Sequence, residues 1–533
     1  VEVLQGGTAT DAFNVSVASA LTLKGGAGID TFQVSSPGSV ATIEGGAGLD
    51  ALTLLGGTVG TYTGGADDAT IDFSGDTVAT TVTLSGSKAG SGTNVTTFTG
   101  VSGITGAGAA DIIEGTAGVD AFVVNGANDG TVQDIAFADF GVLRGLGGGD
   151  TFAFTDSGTL GGDIVGGDGN DEVVGDADGN AFVVTGANTG TLSGKTTGWS
   201  QIENLTGGAG ADTFTFDDNA TLSGAADGDG GTDVLDFSAY TSDVAFSITG
   251  VGSLDGIAGT GVPITNGFDN MNTFSLPSGG GSDTLTINGT SGDDVISVGP
   301  GTIGLGAIAV SVAGVESIVV NGGDGSDTLS VDFASSNPIP SGGLTFNGQD
   351  GTTDSMEFLA GVGFTTVTYV FTNAADGTVS FDGSTLTYTG LEPITDNLVV
   401  ANRVFTFGAL ADSITLAAGT VNDGISEIAS PTAETVAFLN PTSSLTINTG
   451  TGADSLGGML DSAGGVAFAL PISVNAGADL TLNEMATAGD LSVTSAASIA
   501  VDQVSVGPAA TLTLSAAGAI AGVDAADDVA DVT

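Results

Sequence analysis

The residues best suited to chemistry in this chain are aspartates set in glycine-rich turns. Two stretches hold them most densely. GAGAADIIE followed by GTAGVDAFV, Gly106 to Val123, places Asp111 and Asp120 at the sixth position of two tandem nine-residue units. GGDGNDEVV followed by GDADGNAFV, Gly166 to Val183, carries Asp168, Asp171, Asp176 and Asp178. The glycines can take positive φ and turn backbone carbonyls toward a common point, where the aspartate adds a hard anionic oxygen. Carboxylates crowded between residues 168 and 178 repel one another unless a cation lies among them. Histidine and cysteine are both absent. The donors are therefore oxygens alone, a set that selects Ca²⁺ over transition metals. These six aspartates are the candidate calcium ligands, with turn carbonyls completing the shell, the 166–180 cluster first and Gly106 to Asp120 second.

The same G-G-x-G-x-D turn recurs singly, as at Asp30, Asp50 and Asp150, where it reads as a tight turn with the aspartate bonding its own backbone. The turn resembles the RTX, or haemolysin-type, calcium-binding repeat G-G-x-G-x-D-x-U-x. That resemblance implies nine-residue turns stacked into a parallel β-roll, with Ca²⁺ held between neighbouring turns. It covers motifs scattered from Gly6 to Asp354, and outside the two tandem stretches the turn sits on coils of about 20 residues, a departure from the RTX array. Later segments such as ADLTLNEMATAGDLSVTSAASIAV resemble the short-strand repeats of filamentous-haemagglutinin-type adhesins and giant bacterial surface proteins. FDGSTLTYTGLEPITD, Phe381 to Asp396, is similar to recurring segments of such giant proteins. The implied role is structural or adhesive, outside the cell.

Composition narrows the function further. Among 533 residues, 62 acids face five bases (Lys24, Lys88, Arg144, Lys195 and Arg403), a formal charge of −57. Such a chain cannot neutralise phosphates, which excludes nucleic acid and anionic membrane surfaces as partners. Zinc centres, haem, iron–sulfur clusters and Ser-His-Asp triads lack their residues. A polysaccharide lyase on a β-helix would have only Arg144, Lys195 and Arg403 to handle an acidic sugar; a glycosidase needs merely two carboxylates. No enzyme is expected. The most apolar stretch, Gly301 to Val320, contains four glycines and Glu316 and reads as strands, not as a membrane span. The chain starts at Val1 without a basic segment leading into an apolar one, so a processed, secreted product or a fragment is expected.

The elements that must position these turns are short strands. Hydrophobic residues make up 41% of the chain and mean hydropathy is +0.34, enough apolar surface to fold rather than stay disordered. Asp11, Asp30 and Asp50 mark steps near 20 residues, and DAFVVNGANDGTV at Asp120 matches NAFVVTGANTGTL at Asn180, a period near 60. The pattern predicts an all-β, repetitive β-solenoid, a parallel β-helix or β-roll with coils of about 20 residues and three coils per 60-residue unit. After residue 262, β-sandwich-like portions are the alternative. Phe13, Phe32, Phe122, Phe152, Phe182 and Phe214 should stack inside. Four segments are expected: 1–100 and 101–262 with repeats of about 20 and 60 residues, 263–395 with Gly/Asp-rich strands, and 396–533 with short strands and few Asp-rich turns. The functional expectation is a secreted, calcium-binding structural subunit that self-associates into an extracellular filament or surface layer. Its VEVLQ strand would pair into a neighbour and calcium would bridge acidic stretches such as VDAADDVADVT. A monomeric calcium-dependent adhesin module that contacts a surface or matrix polysaccharide is the alternative.

Overall fold

Short strands with one apolar face can hide it by stacking coil on coil. The computed structural model describes residues 2–65, 67–277, 282–349, 353–359, 361, 363–418, 424–459 and 468–522; Val1 and the acidic 523–533 stretch lie outside these. Among the described residues every regular element is a strand, and no helix is long and apolar enough to cross a membrane. The strands belong to two compact units, Val1–Ser242 with Gly252–Pro277, and Asp243–Val251 with Ser278–Thr533.

The first unit shows the coil in its plainest form. Strands Thr22–Ala27, Ser39–Ala47 and Thr58–Gly65 lie parallel, with Leu23 opposite Ile43 and Ile43 opposite Tyr62. Their companions Ala12–Val15, Thr31–Ser35, Ala51–Leu55 and Ala69–Asp72 stack beside them, Phe13 on Phe32, Phe32 on Leu52 and Leu52 on Ile71. Burial alternates along each strand, so the residues that register with one another also share the core. One coil is thus a strand, a glycine-rich turn closed by an aspartate, a second strand and a return.

Antiparallel hairpins interrupt this plan. Ala121–Gly126 pairs antiparallel with Asp129–Val132, which pairs antiparallel with Ile135–Gly147. The first of the three then starts a parallel stack with Thr151–Phe154, and the last joins the stack that continues to Asp163–Asp168. Ala181–Gly186, Thr189–Leu192 and Gly198–Ser200 repeat the device, starting a stack with Thr213–Phe216 and closing the one at Asp163–Asp168. The equal coils expected from the sequence are therefore corrected. Equivalent aspartates step by 20 residues where no hairpin intervenes and by 30 or 32 where one does. The 60-residue repeat contains steps of 30 and 21, not three of 20.

The second unit continues the parallel stacking where a sandwich was the alternative. Ala245–Val251, Thr284–Asn288, Ser317–Asn321, Leu344–Asn347 and Ser384–Thr389 form one parallel stack. Another runs through Phe364–Phe371, Val400–Thr406, Ser444–Gly450, Ile472–Ala476, Leu491–Ser495 and Leu512–Ala516. Side chains reinforce the first: Asn347 donates to Asn321, and Asn321 to Asn288, each at 2.8 Å.

The interiors are apolar, with aromatic pairs as anticipated. Phe13–Phe32, Phe122–Phe152 and Phe182–Phe214 stack at 5.0, 4.8 and 4.9 Å, as three pairs on separate coils. All five basic residues form ion pairs, of which Arg403–Asp396 is wholly buried. Arg403 also donates to the carbonyls of Leu439 (2.9 Å) and Leu398 (2.7 Å), and the Tyr369 hydroxyl donates to Asp396. Each of the three nitrogens of the buried guanidinium thereby meets an oxygen.

Two glycines of one turn separate packing from chain flexibility. A Cβ on Gly228 would lie 2.5 Å from both Asp233 Oδ2 and the Asn270 carbonyl, whereas one on Gly230 would meet nothing within 4 Å. Gly228→Ala should cost about 1–3 kcal/mol or more in denaturant unfolding. Gly230→Ala should stay within about 0.5 kcal/mol of the parent. Equal losses would show that the close approach is not what requires glycine.

Candidate functional site

The recurring turn is built around the contact just described. Its first glycine leaves the space in which the aspartate carboxylate sits. A Cβ on Gly25, Gly145 or Gly166 would lie 2.0–2.5 Å from Oδ2 of Asp30, Asp150 or Asp171. The chain gets there through positive-φ glycines, such as Gly46 and Gly48 at 117° and 125°. Held in this way, each carboxylate reaches into the neighbouring coil. Asp30 N–H donates to Asp50 Oδ1 (2.8 Å), Asp120 to Asp150 (2.7 Å), Asp150 to Asp171 (2.7 Å) and Asp212 to Asp233 (2.8 Å). In the second unit Asp294 donates to Asp327 (2.8 Å), Asp327 to Asp354 (2.9 Å) and Asp412 to Asp454 (2.9 Å). Asp171 and Asp233 donate onward to Glu203 and Asn272. Oδ1 is therefore the rung that joins coils.

Oδ2 divides the turns into two kinds. In Asp111 it accepts the N–H groups of Ala107 and Gly108, the latter at 3.2 Å. In Asp120 it accepts Thr116 N–H (2.6 Å) and Oγ1–H (3.0 Å), while the Gln133 amide donates to Oδ1. These two sequence candidates are buried and supplied with protein donors. In Asp30, Asp50, Asp150, Asp171, Asp212, Asp233, Asp327 and Asp412, by contrast, Oδ2 is buried without a hydrogen-bond partner. Such an oxygen is expensive to leave as it is.

The electrostatics agree with the geometry. Burial pushes Asp150 up to about 6; the Asp120 N–H pulls against it, and the charges of Asp171 and Asp120 add to the rise. Asp233 is likewise pushed to about 6 by burial, against the Asp212 N–H and with the charges of Asp212, Asp255 and Asp227 adding. Burial also raises Asp171 and Asp212. A raised pKa marks a carboxylate whose negative charge is poorly compensated, and carboxylate oxygens are the donor type that suits Ca²⁺ or Mg²⁺.

The remaining candidates lie elsewhere. Asp168 is exposed. Asp176 is buried, Asp178 is exposed, and their carboxylates come within 4.8 Å of each other and of Asp156, which the sequence reading missed because it lies some twenty residues earlier. Lys195 forms an ion pair with Asp176 inside this group. Asp150, Asp212 and Asp233, whose Oδ2 atoms are buried without a partner, were not among the sequence candidates. Their signal was present in the 21-residue spacing of Asp150–Asp171 and Asp212–Asp233, which marks coils stacked without a hairpin between them. Asn180 takes an aspartate's place at one rung and gives N–H bonds from its backbone (2.6 Å) and side chain (3.0 Å) to Asp212 Oδ1. No family model and no curated protein matches the chain.

The second unit buries another unpartnered carboxylate oxygen, Oε2 of Glu434, while Oε1 accepts Thr435 N–H at 3.1 Å. Burial pushes Glu434 up to about 8; the Thr435 N–H opposes this, and the Glu392 charge adds to it. The unfolded chain releases this proton near about 4.3. Between these values the folded state binds more protons, so the group's stabilising contribution is full below about pH 4.3 and is lost by about pH 8. Glu434→Gln should therefore gain on the parent as pH rises from 5 to 8, by up to about 1 kcal/mol per pH unit. Thermal unfolding at four pH values checks it, and parallel profiles for the two proteins would refute it.

Proposed function

We propose that this protein is a calcium-stabilised structural β-solenoid, acting outside the cell as a subunit of a filament or surface layer. One observation carries the reading: the recurring buried Oδ2 atoms that no protein donor meets. Leaving so many carboxylates charged and uncompensated within one fold is costly, and a divalent ion bridging adjacent turns offsets it. Asp150, Asp171, Asp212 and Asp233 would supply carboxylate oxygens, with turn carbonyls from neighbouring coils. The resemblance of the turn to RTX repeats points the same way. A charge of −57 also makes contact between copies unfavourable within about 8 Å at physiological ionic strength, so cations would promote assembly as well as folding. Rigidity over many stacked rungs is what a fibre or layer requires.

A polar groove of about 940 Å³ in the first unit, lined in part by Asp68, Lys88, Ser102, Gln133 and Asp134, favours a second reading as a calcium-dependent adhesin module. Its carboxylates, amide and ammonium suit the hydroxyl groups of a matrix polysaccharide. Polysaccharide binding that Lys88→Ala abolishes, in a chain that stays monomeric, would establish that reading in place of the filament.

Calcium added to chelator-stripped protein should raise its melting temperature. A single site held at 100 times its Kd contributes about 2.7 kcal/mol. Asp171→Ala should reduce the calcium-dependent part of the shift, and sedimentation should show larger species in millimolar calcium. A melting temperature indifferent to calcium would reject the calcium reading, and a monomer at all calcium concentrations would reject the filament.

A further inference from the structure

The densest acidic turn has an occupant of its own. Asp156 follows strand Thr151–Phe154, and Asp176 and Asp178 lie in the turn between Glu172–Val174 and Ala181–Gly186. Their carboxylates gather within 4.8 Å. Lys195 reaches them from the loop after strand Thr189–Leu192. Its Nζ pairs with the Asp176 carboxylate and donates to the carbonyls of Asp156 (3.0 Å) and Thr155 (3.5 Å). An ammonium has three N–H donors, and here three oxygens from two separate segments receive them. The lysine is well shielded, its side chain 15% exposed and that of Asp176 2%. Its backbone is fixed as well, donating to Leu192 O (3.0 Å) and accepting from Leu160 N–H (2.6 Å).

The sequence repeat shows that this is an exchange of one solution for another. Sixty residues earlier, Thr116 stands where Asp176 does and Asp120 where Asn180 does. There the aspartate is on the rung, and its charge is met by neutral donors from Thr116 and Gln133. In the later copy the rung residue is neutral, the charge has moved to Asp176, and a lysine is aimed at it.

We infer that the Asp156–Asp176–Asp178 turn is closed by the chain's own lysine. The Lys195 ammonium holds the place a divalent ion would take, so this turn is formed without calcium and keeps free divalent ions out. The inference rests on the reading above, in which cations close the chain's other acidic turns. Three carboxylates against one ammonium still leave two negative charges, so removing the lysine creates a strong cation site instead of a neutral surface.

The test uses the full chain with Lys195→Met and Lys195→Arg. Bound calcium is counted by equilibrium dialysis, and melting temperature is measured in chelator and in millimolar calcium. Lys195→Met should bind one more calcium ion per chain than the parent, melt lower in chelator, and recover in calcium. Adding Asp178→Asn to Lys195→Met should remove the extra ion, and Lys195→Arg should match the parent. An unchanged calcium count, or a loss of melting temperature that calcium does not reverse, overturns the inference. If Lys195→Met folds only in calcium, the count is made on protein refolded there and is read in the same way. A parent that binds no calcium overturns the general reading alone, because the difference in count between variant and parent still decides the role of Lys195.

Discussion

The fold depends on one side-chain oxygen per rung, nearly always a carboxylate's, which accepts a backbone N–H from the coil beside it. That bond sets the register between coils at the turn, where strand pairing alone would leave the backbone unpaired. It also explains the first glycine of the motif. The other carboxylate oxygen occupies the space a side chain would fill, so the turn closes only when that position has no Cβ. With the turns in register, the alternating strands on either side superimpose Phe on Phe and Leu on Ile, and the core follows.

The same arrangement brings like charges together. A carboxylate that ties two coils must be buried, and its neighbours in the stack are also carboxylates. The chain relieves this in several ways. Some turns surround the second oxygen with N–H and hydroxyl donors, as at Asp111, Asp120 and Asp294. One turn replaces the aspartate by Asn180 and sets Lys195 against Asp176. At Asp30, Asp50, Asp150, Asp171, Asp212, Asp233, Asp327 and Asp412 the second oxygen stays unpartnered, and there an external cation has most to contribute. The scarce basic residues follow the same logic: Lys24 meets Glu44 and Arg144 meets Glu114 on the adjacent coil.

Much of this was legible in the sequence. Recurrent Gly-Gly-x-Gly-x-Asp turns between alternating strands imply parallel coils, and the phenylalanines do pair, all inside but the half-buried Phe13. Coil length was harder to read, because a hairpin such as Ala121–Gly126 with Asp129–Val132 uses the same alternating text as a coil strand and differs only in its partner. Which carboxylate oxygens lack a partner was harder still to read. Asp111 and Asp150 occupy the same motif position, yet the fold gives Asp111 two N–H donors and Asp150 none at Oδ2. That difference arises from the local path of the turn, which residue identity does not encode. Asp156 and Lys195 join Asp176 only through stacking of coils, so no local motif could have announced them.

The central claim is that the unpartnered rung oxygens are cation ligands. Anomalous diffraction from crystals of the full chain grown with calcium and with terbium tests it most directly. The account predicts peaks bonded to Oδ2 of Asp150, Asp171, Asp212 and Asp233, at about 2.3–2.6 Å for calcium. Crystals that diffract well, keep the rungs intact and show no ion at any of these oxygens would contradict it.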